Sequence, residues 1–102
     1  MLSLTKIKED LKEIRYYYIR KELFDRALKQ VATNSIMDKV LRYSNAISTA
    51  PPRLYDMYIS LYVNNYTQEG LSNELGYTTE YINRQNKQLV LYLQKNLVDS
   101  LY

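Results

Sequence analysis

TQEGLSNELGYTTEYINRQNKQL, residues 67–89, reads as two helices separated by a sharp turn. Thr67 supplies a capping hydroxyl for a short helix from Gln68 to about Leu75, with Leu71 and Leu75 four residues apart on one apolar face. Gly76 ends that helix, because glycine enters the left-handed conformation without the Cβ clash that other residues meet. Thr78 or Thr79 caps the next helix. Its apolar positions Tyr81, Ile82 and Leu89, continuing to Leu93 and Leu97, form the stripe expected to pack on Leu71 and Leu75. The opposite face carries Thr79, Glu80, Asn83, Arg84 and Lys87, which with Thr78 are the candidate DNA-binding residues. Side chains of these types bond to phosphates and base edges when a helix enters a major groove. Glu80 repels phosphate, but it suits a cytosine amino group or the positive end of the helix dipole.

Working outward, Ala50-Pro51-Pro52 interrupts the chain. A double proline cannot lie inside a helix, yet its second ring suits a helix start, so a helix is expected from Pro52 or Arg53 to about Asn64 with Leu54, Tyr58, Leu61 and Tyr62 on its apolar face. It would precede the helix pair and complete a three-helix core. Upstream, Asn34 or Ser35 caps a helix with Ile36, Val40, Tyr43 or Ser44, and Ile47 facing inward and Asp38 in its first turn. Leu4, Ile7, Leu11, Ile14 and Tyr18 recur at steps of three and four, the seam of a coiled coil or helical hairpin. Lys21 breaks that seam, and a stripe resumes shifted as Tyr17, Phe24, Leu28 and Val31. Glu22 with Arg26 and Asp25 with Lys29 are favourable i, i+4 pairs, extending the expected helix to about Ala32. The fold class is therefore all-α. An N-terminal helical segment over 1–50, packing on later helices or on another chain, is followed by a helix-turn-helix domain over 51–102.

With 102 residues the chain has room for one domain, and burial at this length is adequate without being generous. The chain has no cysteine and no histidine, which excludes disulfides, thiolate metal sites and imidazole bases. Glu9, Asp10 and Glu13 lie among lysines on an amphipathic helix, where a solvated face is the expected role, and no nucleophile has an activating partner. No catalytic residue, metal site or cofactor is expected. The apolar runs are too short for a membrane span or a signal-peptide core, so the expected location is cytoplasmic. Eight of the twelve tyrosines follow Pro52, and amphipathic core filling accounts for most of them. Tyr16-Tyr17-Tyr18 covers most of a helix circumference, so at least one of its rings should be exposed or at an interface.

Charge is distributed against expectation. Residues 1–50 hold ten Lys plus Arg against six Asp plus Glu, whereas residues 51–102 hold four against five. The helix-turn-helix half is thus not basic. Because phosphate neutralisation supplies most nonspecific affinity, this half alone should bind DNA only at about micromolar concentrations or worse. The basic N-terminal segment, a second copy or a larger partner such as RNA polymerase would then supply the remainder.

Residues 54–93 resemble region 4 of sigma factors and the small phage and mobile-element regulators of Gram-positive bacteria that carry a sigma-like helix-turn-helix. Leu61-Tyr62 matches the apolar-Tyr end of the first helix, followed by Thr67-Gln68-Glu69. Leu71-Ser72-Asn73-Glu74-Leu75-Gly76-Tyr77 matches the scaffold helix and turn, and Tyr81-Ile82-Asn83-Arg84 the recognition helix. The resemblance implies transcriptional control with double-stranded DNA as partner and a homodimer through the N-terminal or the last helix. Asn83 and Arg84 are then expected to read adenine and guanine. The alternative is a phage-type interaction factor that uses the same fold to bind a host repressor or RNA polymerase.

Overall fold

The computed structural model describes residues 2–21 and 35–97. Among them the chain is all-helical: α1 (Leu4–Ile19), α2 (Ser35–Ile47), α3 (Pro52–Tyr58), α4 (Gln68–Leu75) and α5 (Thr79–Asn96). A π-helical segment, Ile59–Val63, continues α3 directly.

The helix ends follow from local chemistry. Ser3 caps α1 by accepting from the Lys6 amide at 3.0 Å. Pro52 occupies the first position of α3, where its missing N–H costs nothing. Thr67 accepts from the Gly70 amide at 2.9 Å to open α4, and Gly76 closes it at φ 74°. Of the two threonines before α5, Thr78 is the cap, accepting from the Tyr81 amide at 3.1 Å.

Among the described residues, α5 is the hub, packing against α1, α2, α3 and α4, while α4 packs only on α5 and the π segment. One apolar core joins Ile7, Leu11, Ile14 and Tyr17 of α1 to Val40, Tyr43 and Ile47 of α2. It continues through Leu54, Met57, Tyr58 and Leu61, and through Ile82, Leu89, Val90 and Leu93 of α5. The core therefore spans both sides of Pro51, and Ile7, Leu11 and Ile14 of the α1 seam are packed within the chain itself, while Leu4 at its start is exposed. Leu71 is the only residue by which α4 is anchored in the core.

The structure corrects four expectations. α1 stops at Ile19, with Arg20 in a turn conformation; the rest of the expected helix to Ala32, with the Glu22–Arg26 and Asp25–Lys29 pairs, lies outside the described residues. Tyr17, not Tyr18, is the more deeply buried of the two, because α2 and the π segment enclose a wider arc of α1 than a two-stranded seam requires. Leu75 is 52% exposed, because none of the described elements covers the last turn of α4.

The fourth correction concerns Asp10, which is 1% exposed and not on a solvated face. Its Oδ2 accepts from the Tyr43 hydroxyl at 2.7 Å. Its Oδ1 lies 3.0 Å from Lys39 Nζ and 3.3 Å from Lys6 Nζ, and Lys39 also pairs with Glu13. Burial by itself would raise the carboxyl pKa, but the Tyr43 hydroxyl and then Lys39 and Lys6 outweigh it, and the group sits below its ordinary value. Burial, reinforced by the Asp10 carboxylate, pushes the Tyr43 hydroxyl far up. A charge at this depth is tolerated because it is paired and hydrogen-bonded.

Candidate nucleic-acid interface

The turn between α4 and α5 is built from backbone geometry. The Gly76 amide bonds to the Ser72 carbonyl at 2.8 Å, and the Ser72 hydroxyl donates to the Tyr77 carbonyl. These bonds satisfy the end of α4 and aim the chain into α5. The Tyr77 and Tyr81 rings lie against each other with centroids 4.7 Å apart.

α5 enters the core gradually. Ile82 is fully buried, and Leu89, Val90 and Leu93 seat the C-terminal half. Two hydrogen bonds from the α3 segment orient the helix about its axis: Arg53 Nε donates to Gln85 Oε1 at 3.2 Å, and the Tyr62 hydroxyl donates to Asn86 Oδ1 at 2.6 Å. Burial pushes the Tyr62 hydroxyl up, which keeps it protonated as a donor. With Gln85 and Asn86 turned inward, their neighbours Asn83, Arg84 and Lys87 face solvent.

All six candidate residues are exposed. Thr79, Glu80, Asn83, Arg84 and Lys87 project from the first two and a half turns of α5, and neither Arg84 nor Lys87 is in an ion pair among the described residues. Thr78 stands apart, since its hydroxyl is engaged in capping. Glu80 lies in the first turn, where its charge favours the helix dipole. Sequence reasoning missed Arg53, Tyr62, Gln85 and Asn86 as the groups that set the rotation of α5. Gln85 and Asn86 stand three and four residues after Ile82, on the stripe that continues to Leu89, so polar groups at inward positions were the signal; their partners Arg53 and Tyr62 lie 32 and 24 residues away, and no local pattern pairs them.

Beside this face, Met57, Leu71, Leu75, Tyr77 and Tyr81 line an apolar cleft of about 300 Å³, edged by Arg53 and Asp56. Among the described residues, no cluster of three or more His, Cys, Asp or Glu side chains is placed to hold a metal ion. No described helix is long and apolar enough to cross a membrane. Neither a family model, a curated protein nor a solved structure matches the chain.

Proposed function

We propose that this protein is a sequence-specific DNA-binding transcriptional regulator of the phage or mobile-element kind, acting in the cytoplasm, in which the first half of α5 enters the major groove. The observation that supports this reading most is the open face of α5. Five polar or charged side chains, Thr79, Glu80, Asn83, Arg84 and Lys87, stand exposed together with none of the described elements over them, on a helix that a short helix and a left-handed glycine deliver. Such a face matches the width of the major groove and the donor and acceptor pattern of its base edges. In this reading Arg84 is the residue suited to guanine, Asn83 to adenine, and Thr79 and Lys87 to phosphates.

Selection from random duplex DNA tests the reading. A common motif is expected among the retained sequences, and Arg84→Ala should lose about 1 to 3 kcal/mol of discrimination at one position of it. A palindromic motif would add a homodimer with half-sites about one helical turn apart. Retention of no motif, or a motif indifferent to Arg84, overturns the proposal.

The competing reading is an interaction factor that binds a host repressor or RNA polymerase. The cleft at the turn favours it, because Leu75 and Tyr77 are about half exposed there and offer apolar area to a protein and nothing to a phosphate. Salt separates the two readings: phosphate contacts lose affinity steeply as salt rises, and an apolar interface does not.

A further inference from the structure

Lys8, Lys12 and Arg15 recur at i, i+4 and i+7 and share one side of α1. Two other basic residues near α1 are neutralised. Lys6 and Lys39 are held by Asp10 and Glu13 on the flank that faces α2. Lys8 and Lys12 are exposed and make no ion pair among the described residues. The positive charge within α1 is thereby divided into a quenched flank and an open one.

The open flank lies beside the exposed face of α5. Gln94 Nε2 donates to the Leu2 carbonyl at 3.0 Å, which ties the start of α1 to the last turns of α5. At the other end, Arg15 Nη2 donates to the Asn65 carbonyl at 3.1 Å, three residues beyond the Tyr62 that bonds Asn86. The two helices are therefore antiparallel. Lys87 is seven residues before Gln94, so it lies exposed on the edge of α5 from which Gln94 reaches α1, about 10 Å back along the axis. The same rise along α1 from Leu2 reaches the level of Lys8, with Lys12 one turn further.

We infer that Lys8 and Lys12 extend the α5 surface into one phosphate-binding face, gripping the DNA backbone beside the groove that α5 reads. This rests on the proposed DNA-binding reading and assigns α1 the sequence-independent part of the affinity. Without α1, the exposed face of α5 offers only Arg84 and Lys87 as cations, and Glu80 opposes them. Adding Lys8 and Lys12 brings two more cations at spacings that follow a backbone strand.

The test is fluorescence anisotropy of the full chain on labelled random-sequence duplex DNA over a salt series, with circular dichroism melts to verify each fold. The Lys8→Gln/Lys12→Gln variant is expected to flatten the slope of log affinity against log salt by about two, with the loss uniform across sequences. Lys8→Arg/Lys12→Arg should restore the slope. Lys95→Gln should leave it unchanged, since Lys95 lies eight residues, about 12 Å, beyond Lys87 toward the C-terminal end of α5 and lines a cleft with Pro51 and Leu54. If the wild-type chain binds and the double glutamine variant keeps its slope, this inference falls while the α5 reading stands. A wild-type chain with no salt-sensitive binding overturns both.

Discussion

The Tyr43 hydroxyl on α2 donates to Asp10 Oδ2 on α1 at 2.7 Å, and neither residue is more than 1% exposed. This bond fastens α1 to the rest of the core with a charge-assisted link, and it makes each partner dependent on the other. Asp10→Ala leaves a buried hydroxyl without an acceptor and Lys39 without its inner partner. Unfolding free energy should fall by about 3 kcal/mol. Tyr43→Phe, which leaves the carboxylate with two lysines, should cost about 2 kcal/mol. The double variant Asp10→Ala/Tyr43→Phe should lose less than the sum of the two losses, because the hydroxyl orphaned by Asp10→Ala is then absent. Urea melts of the four proteins check this, and strict additivity would show the pair to be uncoupled.

The same pair sets a pH dependence. The Asp10 pKa lies below its ordinary value of 3.8, so its contribution to stability is fully present above that value and is lost as pH falls through the lower, folded-state value. Tyr43 and Lys39 are shifted upward from 10.0 and 10.5, so their contributions are present below those values and vanish as pH rises beyond them. The midpoint of thermal unfolding should be flat between about pH 5 and 9 and fall on both sides. Asp10→Asn should flatten the acid limb specifically; an unchanged limb would place the acid sensitivity in another carboxylate.

Left-handed residues bracket α4, with Asn65 at φ 64° before it and Gly76 at φ 74° after it. A Cβ built on Gly76 meets nothing within 4 Å, so Gly76→Ala should cost only the backbone penalty, about 1 to 2 kcal/mol, and Gly76→Asn less. Asn65→Ala should destabilise more than Asn65→Gly for the same reason. Equal midpoints for the alanine and glycine variants at position 65 would contradict the left-handed assignment.

Leu89 is completely buried where α5 crosses the core, whereas Leu75 is 52% exposed. Leu89→Ala should therefore lose about 3 kcal/mol through lost transfer energy and a residual cavity. Leu75→Ala should change stability by less than about 0.5 kcal/mol. Guanidinium melts of both variants decide whether α4 is as lightly anchored as its single buried leucine implies.

The helix start and stop positions around the candidate interface were legible in the residues themselves. Thr67, Gly76, Thr78 and Pro52 act on backbone groups within three or four positions of their own, so their effect needs no knowledge of the rest of the chain. Ile82, Leu89 and Leu93 were also legible, because a helix carries its buried stripe at a fixed spacing. Where the chain ran against these local rules, a distant element decided. Asp10 is buried because Tyr43 and Lys39 arrive from a helix some thirty residues away. Leu75 is exposed because none of the described elements packs on the last turn of α4, and Tyr17 displaces Tyr18 because the enclosing arc is wider than one partner helix would make it. Asn83, Arg84 and Lys87 face solvent opposite Ile82 and Leu89, as the stripe requires, whereas the bonds from Arg53 and Tyr62 to Gln85 and Asn86 that hold this rotation come from distant residues. Caps and periodicity are short-range and reside in the sequence alone, whereas burial of polar groups and the aim of a helix depend on long-range partners that only the tertiary structure brings together.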